Sequence, residues 1–338
     1  MCWTCESRSL AARMAVRAYV HGPHEQQFLR GALSIGLFVG AWLASIALPL
    51  VLVGFACYRL WLPVVTLAAT CGMCLLPVET NLAVKAWFCH GFRVYWGASS
   101  LTFEQEVRAV PTVLAVHPHG SFCMGWAVLY SQAVLRHVSW CFAPVLYSSP
   151  VFRAFTSLIG RPASASKEAF IQLMRKRETI AILPGGFEEA AISCTATDRV
   201  YLKRRTGWVK YALQHGYSLT PVFCFGEREC YATLEGLAPL RLWLGRTLGL
   251  PGTLLSMLLV FPRGVWWCPI LPRDTRLHVV VGAPVHPPKQ VASHATPAQV
   301  TDELVRDFHS RYVTALVALY DAHKGAYYGD EHMQLEVW

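Results

Sequence analysis

Between Gly31 and Tyr58 the chain carries no charged residue, and after the single Arg59 it runs uncharged again from Leu60 to Val78. A helix rises about 1.5 Å per residue, so about 20 apolar residues cross the hydrocarbon core of a bilayer. The first run exceeds that length, the second just meets it, and one residue between them leaves room only for a tight turn. The sequence therefore predicts a membrane hairpin over 31–78, with helices at 31–58 and 60–78 and bends at Pro49, Pro63 and Pro77. Both flanks then face the same side. Arg8, Arg13, Arg17 and Arg30 outnumber Glu6 and Glu25 in the segment 1–30, and Lys85 and Arg93 follow the hairpin, which places that side in the cytosol. A secretory signal would put its apolar region nearer the start and a small-residue cleavage site after it.

Charged residues make up 15% of the chain, against about a quarter in a soluble domain, which agrees with a protein partly in or on a membrane. The net charge of +9 suits an anionic membrane face or an anionic ligand. With no zinc finger, RNP aromatic pair or long basic arm, it argues against nucleic acid. The 12 cysteines are scattered through apolar segments, which favours buried reduced thiols. Cys2-x-x-Cys5 and Cys71-x-x-Cys74 each lack the second pair a zinc site needs.

From 79 to 338 the pattern becomes that of an α/β domain. Thr112 to Val116 reads as a strand that stops at His117-Pro118-His119-Gly120, followed by a helix over Met124 to Leu135. Lys167 to Arg177 has helical spacing, with cations in its last turn to suit the dipole. Thr179 to Leu183 is a short strand broken by Pro184-Gly185-Gly186. Thr206 to Gln214 reads as a helix closed by Gly216 as a left-handed cap, and Leu219 to Phe225 as the returning strand. Leu248 to Pro262 is uncharged but too short and too rich in Pro and Gly for a full span. It reads as a membrane-associated apolar segment, with a core helix as the alternative. A strand at Leu277 to Val281 precedes a final helix from Thr296-Pro297 to about His323. Strands and helices alternating through short turns imply a mainly parallel or mixed sheet.

Ligands bind at the carboxyl edge of such sheets, and two imidazoles sit there at a strand end. If strand geometry persisted through the turn, His117 and His119 would project to the same side, as a metal pair or as one base with a supporting partner. No third metal ligand stands at a plausible spacing, so no metal is expected and proton transfer is the favoured chemistry. A histidine base commonly has an orienting acid. Glu188 and Glu189 follow the second strand-end turn, and one of them can face the histidine. Gly120, Gly185 and Gly186 bare backbone N–H groups suited to an oxyanion. Lys203, Arg204, Arg205 and Lys210 read as a solvated face, a phospholipid contact, or a site for a phosphorylated handle such as that of coenzyme A. Ser121 or Cys123 is the candidate nucleophile of a rival hydrolase, although no G-x-S-x-G elbow is present.

HPHG at 117–120, PGGFEEA at 184–190, RRTGWVKYALQHG at 204–216, PVFCFGE at 221–227, VVVGAPV at 279–285 and DAHKGAYYG at 321–329 together resemble the type 2 diacylglycerol acyltransferase family, which includes monoacylglycerol and wax-ester acyltransferases. The resemblance implies a multi-pass endoplasmic reticulum enzyme with a cytosolic catalytic face and access to lipid droplets. It would move a fatty acyl group from acyl-CoA to diacylglycerol, or to monoacylglycerol or a long-chain alcohol, without a cofactor. It implies His119 as base, His117 as its support, Glu189 as the acid, and a homodimer on family grounds. The His-x4-Asp pair of wider glycerolipid acyltransferases is absent, since Met124 and Phe122 stand at the positions of the acid. His215 and Glu227, inside the matching blocks, are secondary candidates beside Glu188 and Ser121. The other readings are a membrane lipid hydrolase or thioesterase and a non-catalytic scaffold.

Overall fold

A computed structural model describes residues 25–96, 100–105, 111–233, 238–248, 263–288 and 300–338. The basic segment up to residue 24, most of the apolar segment at 248–262 and the expected helix start at Thr296-Pro297 lie outside the described residues.

The charge-free run divides into helix α1 (Glu25–Cys57), a turn at Arg59, and helix α2 (Trp61–Met73). Two spanning helices were expected, but among the described residues only Phe28–Ser45 is long and apolar enough to cross a membrane. Helix α2, at 13 residues, falls short of the length a crossing needs. The long helix is also not uniformly exposed. Its first half packs on α3 (Leu82–Tyr95), with Ile35, Phe38 and Val39 in one core with Phe88 and Phe92. Gly91 makes that approach feasible: a Cβ there would lie 1.9 Å from the Ser34 hydroxyl. Beyond Ala47 the apolar side chains turn outward, with Leu50, Val53, Trp61 and Leu62 each more than half exposed.

The domain is built on a seven-stranded sheet: β1 (Ser100–Phe103), β2 (Thr112–His117), β3 (Ser139–Phe142), β4 (Arg161–Ser164), β5 (Ile180–Ile182), β7 (Ser218–Phe225) and β8 (His278–Val281), in spatial order 1-8-7-2-5-3-4. Every pairing is parallel except β7 with β8, so the expected mixed, mainly parallel sheet is present. A separate two-stranded ribbon joins β6 (Arg199–Val200) to β9 (Glu336–Val337).

Side chains alternate across a strand, and β2 distributes its residues accordingly. Leu114 and Val116 join the core under α1 and α3, while Val113 and Ala115 pack with Phe308, Tyr312 and Leu316 on the opposite face. His117 continues that second set. The helix after the histidine turn is shorter than expected: α4 (Met124–Tyr130) ends seven residues in, and Ala133–Leu135 forms a separate 3-10 turn. Helices α5 (Pro144–Ser148), α6 (Pro150–Ile159) and α7 (Lys167–Arg175) follow. Lys85 ties these pieces together: its buried ammonium donates to the carbonyls of Tyr130 (2.6 Å) and Ile159 (3.0 Å), the last residues of α4 and α6. Cations favour helix C-termini, and burial lowers this lysine's pKa to about 8.

Past the second strand-end turn lie α8 (Gly186–Ala191), α9 (Gly207–Gln214), α10 (Ala238–Leu248) and the final α11 (Asp302–Tyr328). Gly216 has the left-handed conformation its place after α9 called for. Thr301 caps the final helix by accepting from the Leu304 N–H. The ten described cysteines are all free thiols.

Candidate active site

The register of the central strands assembles the site. In β2 and β5, Ala115 pairs with Ile182, so both chains leave the sheet at the same edge. In β7, Phe223 lies beside His117, which brings Glu227 to that edge as well. His215 falls elsewhere. It precedes Ser218, which pairs with Thr112, about 17 Å of strand from His117, and its Nδ1 bonds the Tyr211 carbonyl.

The two histidines do not project to the same side, because the strand ends at His117 and the chain turns before His119. His117 is fully buried. Its Nδ1 lies 3.2 Å from each Glu189 oxygen, and its Nε2 lies 3.1 Å from the Tyr312 hydroxyl. A carboxylate only accepts, so Nδ1–H donates to Glu189, while Nε2 bonds the Tyr312 hydroxyl, which also reaches the Ala115 carbonyl at 3.4 Å. Both ring nitrogens are engaged.

Glu189 is itself buried in the first turn of α8. Besides the His117 ring, its oxygens accept from the backbone N–H of His119 (2.7 Å) and of Tyr201 (2.8 Å). The acid therefore holds the turn by His119's backbone and by the ring of His117; the His119 ring bonds elsewhere. Gly185 packs so closely on Glu189 that a Cβ would lie 2.1 Å from Oε2. Glu188 points the other way and pairs with Arg205.

The half-buried His119 ring has a different environment. Nδ1 lies 2.9 Å from the Gly120 carbonyl, with the Cys123 sulfur 3.4 Å from Nδ1 and 3.6 Å from Nε2. A carbonyl fixes Nδ1 as the protonated nitrogen and leaves the lone pair on Nε2. Burial lowers the pKa of His119, outweighing the Gly120 carbonyl and the Glu189 charge, which both act to raise it. The ring is therefore neutral at physiological pH. Burial also raises the Cys123 thiol well above its ordinary value, so this sulfur is a neutral neighbour.

A second buried carboxyl lies on the far flank of the turn. Glu227 accepts from the N–H groups of Met124 (2.9 Å) and Gly125 (2.6 Å), the first two residues of α4. Gly120, at φ 60°, sits so close that a Cβ would lie 2.3 Å from a Glu227 oxygen. Only glycine combines that backbone conformation with that contact. Burial raises the Glu227 pKa to about 7, against the two N–H groups and the Cys224 thiol, which lower it. The Gly186 N–H bonds the Leu183 carbonyl, and Ser121 is buried. Beside the turn a small recess is lined by Pro118, Gly120, Glu189, Ser193, Asp198 and Arg228 among others.

The basic cluster separates into two kinds. Arg205 pairs with Glu188 and covers the Tyr201 ring, and Lys210 lies 3.6 Å from Asp302. Lys203 and Arg204 are exposed. Tyr312 and the Tyr201 N–H were not anticipated from the sequence. The spacing of Val305, Phe308, His309, Tyr312 and Leu316 marks Tyr312 as a core position, but nothing local says that its hydroxyl meets a histidine 195 residues away.

The sequence profile of a family described as diacylglycerol acyltransferase matches residues 52–338. The chain is 26% identical to diacylglycerol O-acyltransferase 1 of Saccharomyces cerevisiae over 74% of its own length and 61% of the relative. It is 30% identical to 2-acylglycerol O-acyltransferase 1 of Mus musculus over 66% of its length and 68% of the relative. It is 26% identical to acyl-CoA wax alcohol acyltransferase 2 of Homo sapiens over 67% and 69%. The chain thus spans about three fifths to two thirds of these relatives. No solved structure matches it.

Proposed function

The chain belongs to the diacylglycerol acyltransferase family, and from that premise we propose that it transfers a fatty acyl group from acyl-CoA to the free hydroxyl of diacylglycerol, forming triacylglycerol. Monoacylglycerol and long-chain alcohols are the alternative acceptors, in keeping with the names of the relatives. The observation that carries the reading is the His119 ring, neutral and held through Nδ1 by the Gly120 carbonyl, with Nε2 facing only the Cys123 thiol, a weak donor that a substrate hydroxyl would displace.

In the reaction Nε2 accepts the hydroxyl proton as the lipid oxygen bonds to the thioester carbon and the carbonyl electron pair moves onto its oxygen. The C–S bond then breaks, the CoA thiolate departs, and the imidazolium returns the proton to it. General-base catalysis of this kind contributes about 10² to 10⁴ in rate. The chemistry balances without a metal or redox cofactor. We assign the oxyanion to the Gly120 N–H, since the N–H groups of His119, Met124, Gly125 and Gly186 already have acceptors. Lys203 and Arg204 are the cations we assign to the CoA phosphates.

The exposed apolar surface of α1 beyond Ala47 and of α2 supports a membrane-embedded helical pair. With the basic flanks it fits an endoplasmic reticulum protein whose catalytic face is cytosolic, with access to lipid droplets. A homodimer belongs to the same reading. Purified protein in lipid vesicles, given labelled acyl-CoA and each of the three acceptors, tests the function: ester product that disappears in His119→Ala is expected. Free fatty acid released without an acceptor, and abolished by Ser121→Ala instead, would make the protein a hydrolase.

A further inference from the structure

The described residues include a second apolar projection that the catalytic reading does not use. Between Arg263 and Arg273 the chain forms a loop that presents Trp266, Trp267 and Ile270 to solvent, at 92%, 53% and 39% exposure. Adjacent tryptophans bared to this degree call for a partner surface. The loop is firmly built. The N–H groups of Gly264, Val265, Cys268 and Leu271 donate to the carbonyls of Pro269, Leu271, Val265 and Cys268. Tyr231 and Tyr95 donate their hydroxyls to the carbonyls of Ile270 (2.9 Å) and Pro272 (2.6 Å).

We propose that this loop is a membrane-interface anchor, with Trp266 and Trp267 seated at the headgroup boundary of the bilayer that holds the helical pair. Three features select a lipid surface. First, entering a low-dielectric boundary requires the backbone polar groups to be satisfied internally, and four N–H groups of this short loop are. Second, tryptophan is enriched at membrane–water boundaries, where its apolar ring and N–H match the two sides, and Arg263 and Arg273 are both exposed at the loop ends to meet phosphates, with Asp274 beside the second. Third, the loop rides on the membrane helix: Leu271 belongs to the core that includes Ile35, Phe38 and Val39 and lies against Gly36. From Gly36 to Ala47, where the exposed half of α1 begins, is about 16 Å of helix. In sequence the loop also follows directly on the uncharged stretch ending at Pro262.

The loop would fix the domain at a second point, so that the catalytic edge keeps one orientation to the bilayer. This rests on the membrane reading of the helical pair, and the test separates the two. The full chain is reconstituted in phosphatidylcholine vesicles with bromine-labelled acyl chains, and emission is compared among the parent, Trp61→Phe, and Trp266→Phe with Trp267→Phe. Trp61, exposed on α2, reports on the helical pair. The expected result is that the emission lost in the double variant was quenched by brominated lipid and shielded from aqueous iodide. Quenching of that emission by iodide and not by brominated lipid overturns the proposal, while a bromine-quenched Trp61 in the same vesicles leaves the helical pair standing. If Trp266→Asp with Trp267→Asp instead converts a detergent-solubilised dimer to monomer, and neither quencher reaches the pair, the loop is a protein interface and the proposal falls.

Discussion

His117 and His119 are two residues apart in one turn, yet they occupy opposite chemical situations. The first has both ring nitrogens bonded, to Glu189 and Tyr312, in a fully buried position. The second has Nδ1 bonded to a carbonyl beside it and Nε2 facing only the Cys123 thiol at 3.6 Å, on a half-buried surface. A base needs a lone pair that only a weak donor such as a thiol occupies, and a path to substrate. In the proposed mechanism identical side chains therefore divide into a positioning residue and a base because of what surrounds each. Glu189 connects the two, since it grips the ring of one and the backbone of the other.

The comparison can be broken at several points, starting with the largest expected effect. His119→Ala should lower kcat by about 10² to 10⁴ with an unchanged unfolding midpoint, as measured by initial rates beside thermal denaturation in detergent. Glu189→Gln should reduce kcat by up to about 10², the scale at which small misplacement of a catalytic group acts, without abolishing folding. Equal losses for His119→Ala and His117→Gln would show that the two rings share one role. Tyr312→Phe removes the hydroxyl that bonds His117 Nε2 and the Ala115 carbonyl. It should cost about 0.5–1.5 kcal/mol of stability, read as a lower denaturation midpoint, with kcat changed far less than by His119→Ala.

Two pH measurements sharpen the same contrast. Because burial lowers the His119 pKa from its ordinary 6.5, the base stays neutral as pH falls, and the acid limb of kcat should lie below 6.5. The Glu227 pKa is raised from 4.5 to about 7. The folded state then holds a proton that the unfolded state has released, and this contribution is fully present below 4.5 and lost as pH rises through about 7. Glu227→Gln should flatten that fall in the denaturation midpoint; an unchanged slope would place the titration elsewhere.

The charge-free run offers the corresponding lesson for the fold. Hydropathy treats Phe28–Ser45 and Ala47–Cys57 alike, as apolar helix. Packing separates them: the first half finds Phe88, Phe92 and Gly91 on α3, and the second finds nothing comparable among the described residues. The chain-edge turns were legible because Pro and Gly punctuate strands locally. The contact of Glu189 with His117 was not, since 72 residues of chain separate them and their meeting depends on the pairing of β2 with β5. The ion pairs of the basic cluster were not legible for a similar reason, because Glu188 and Asp302 reach two of its four members from other elements.

The sequence by itself determined the local alternation of strands and helices, the strand-end position of both histidines and the presence of an uncharged helical run. These follow from periodicity, turn chemistry and the absence of charge, which act over a few residues. The tertiary structure decided which histidine is locked in the core between Glu189 and Tyr312, which carboxyl meets which N–H, and which half of the long helix belongs to the core. Those outcomes depend on desolvation and hydrogen-bond pairing between segments far apart in the chain, and such pairings exist only once the sheet register has brought the segments to one edge.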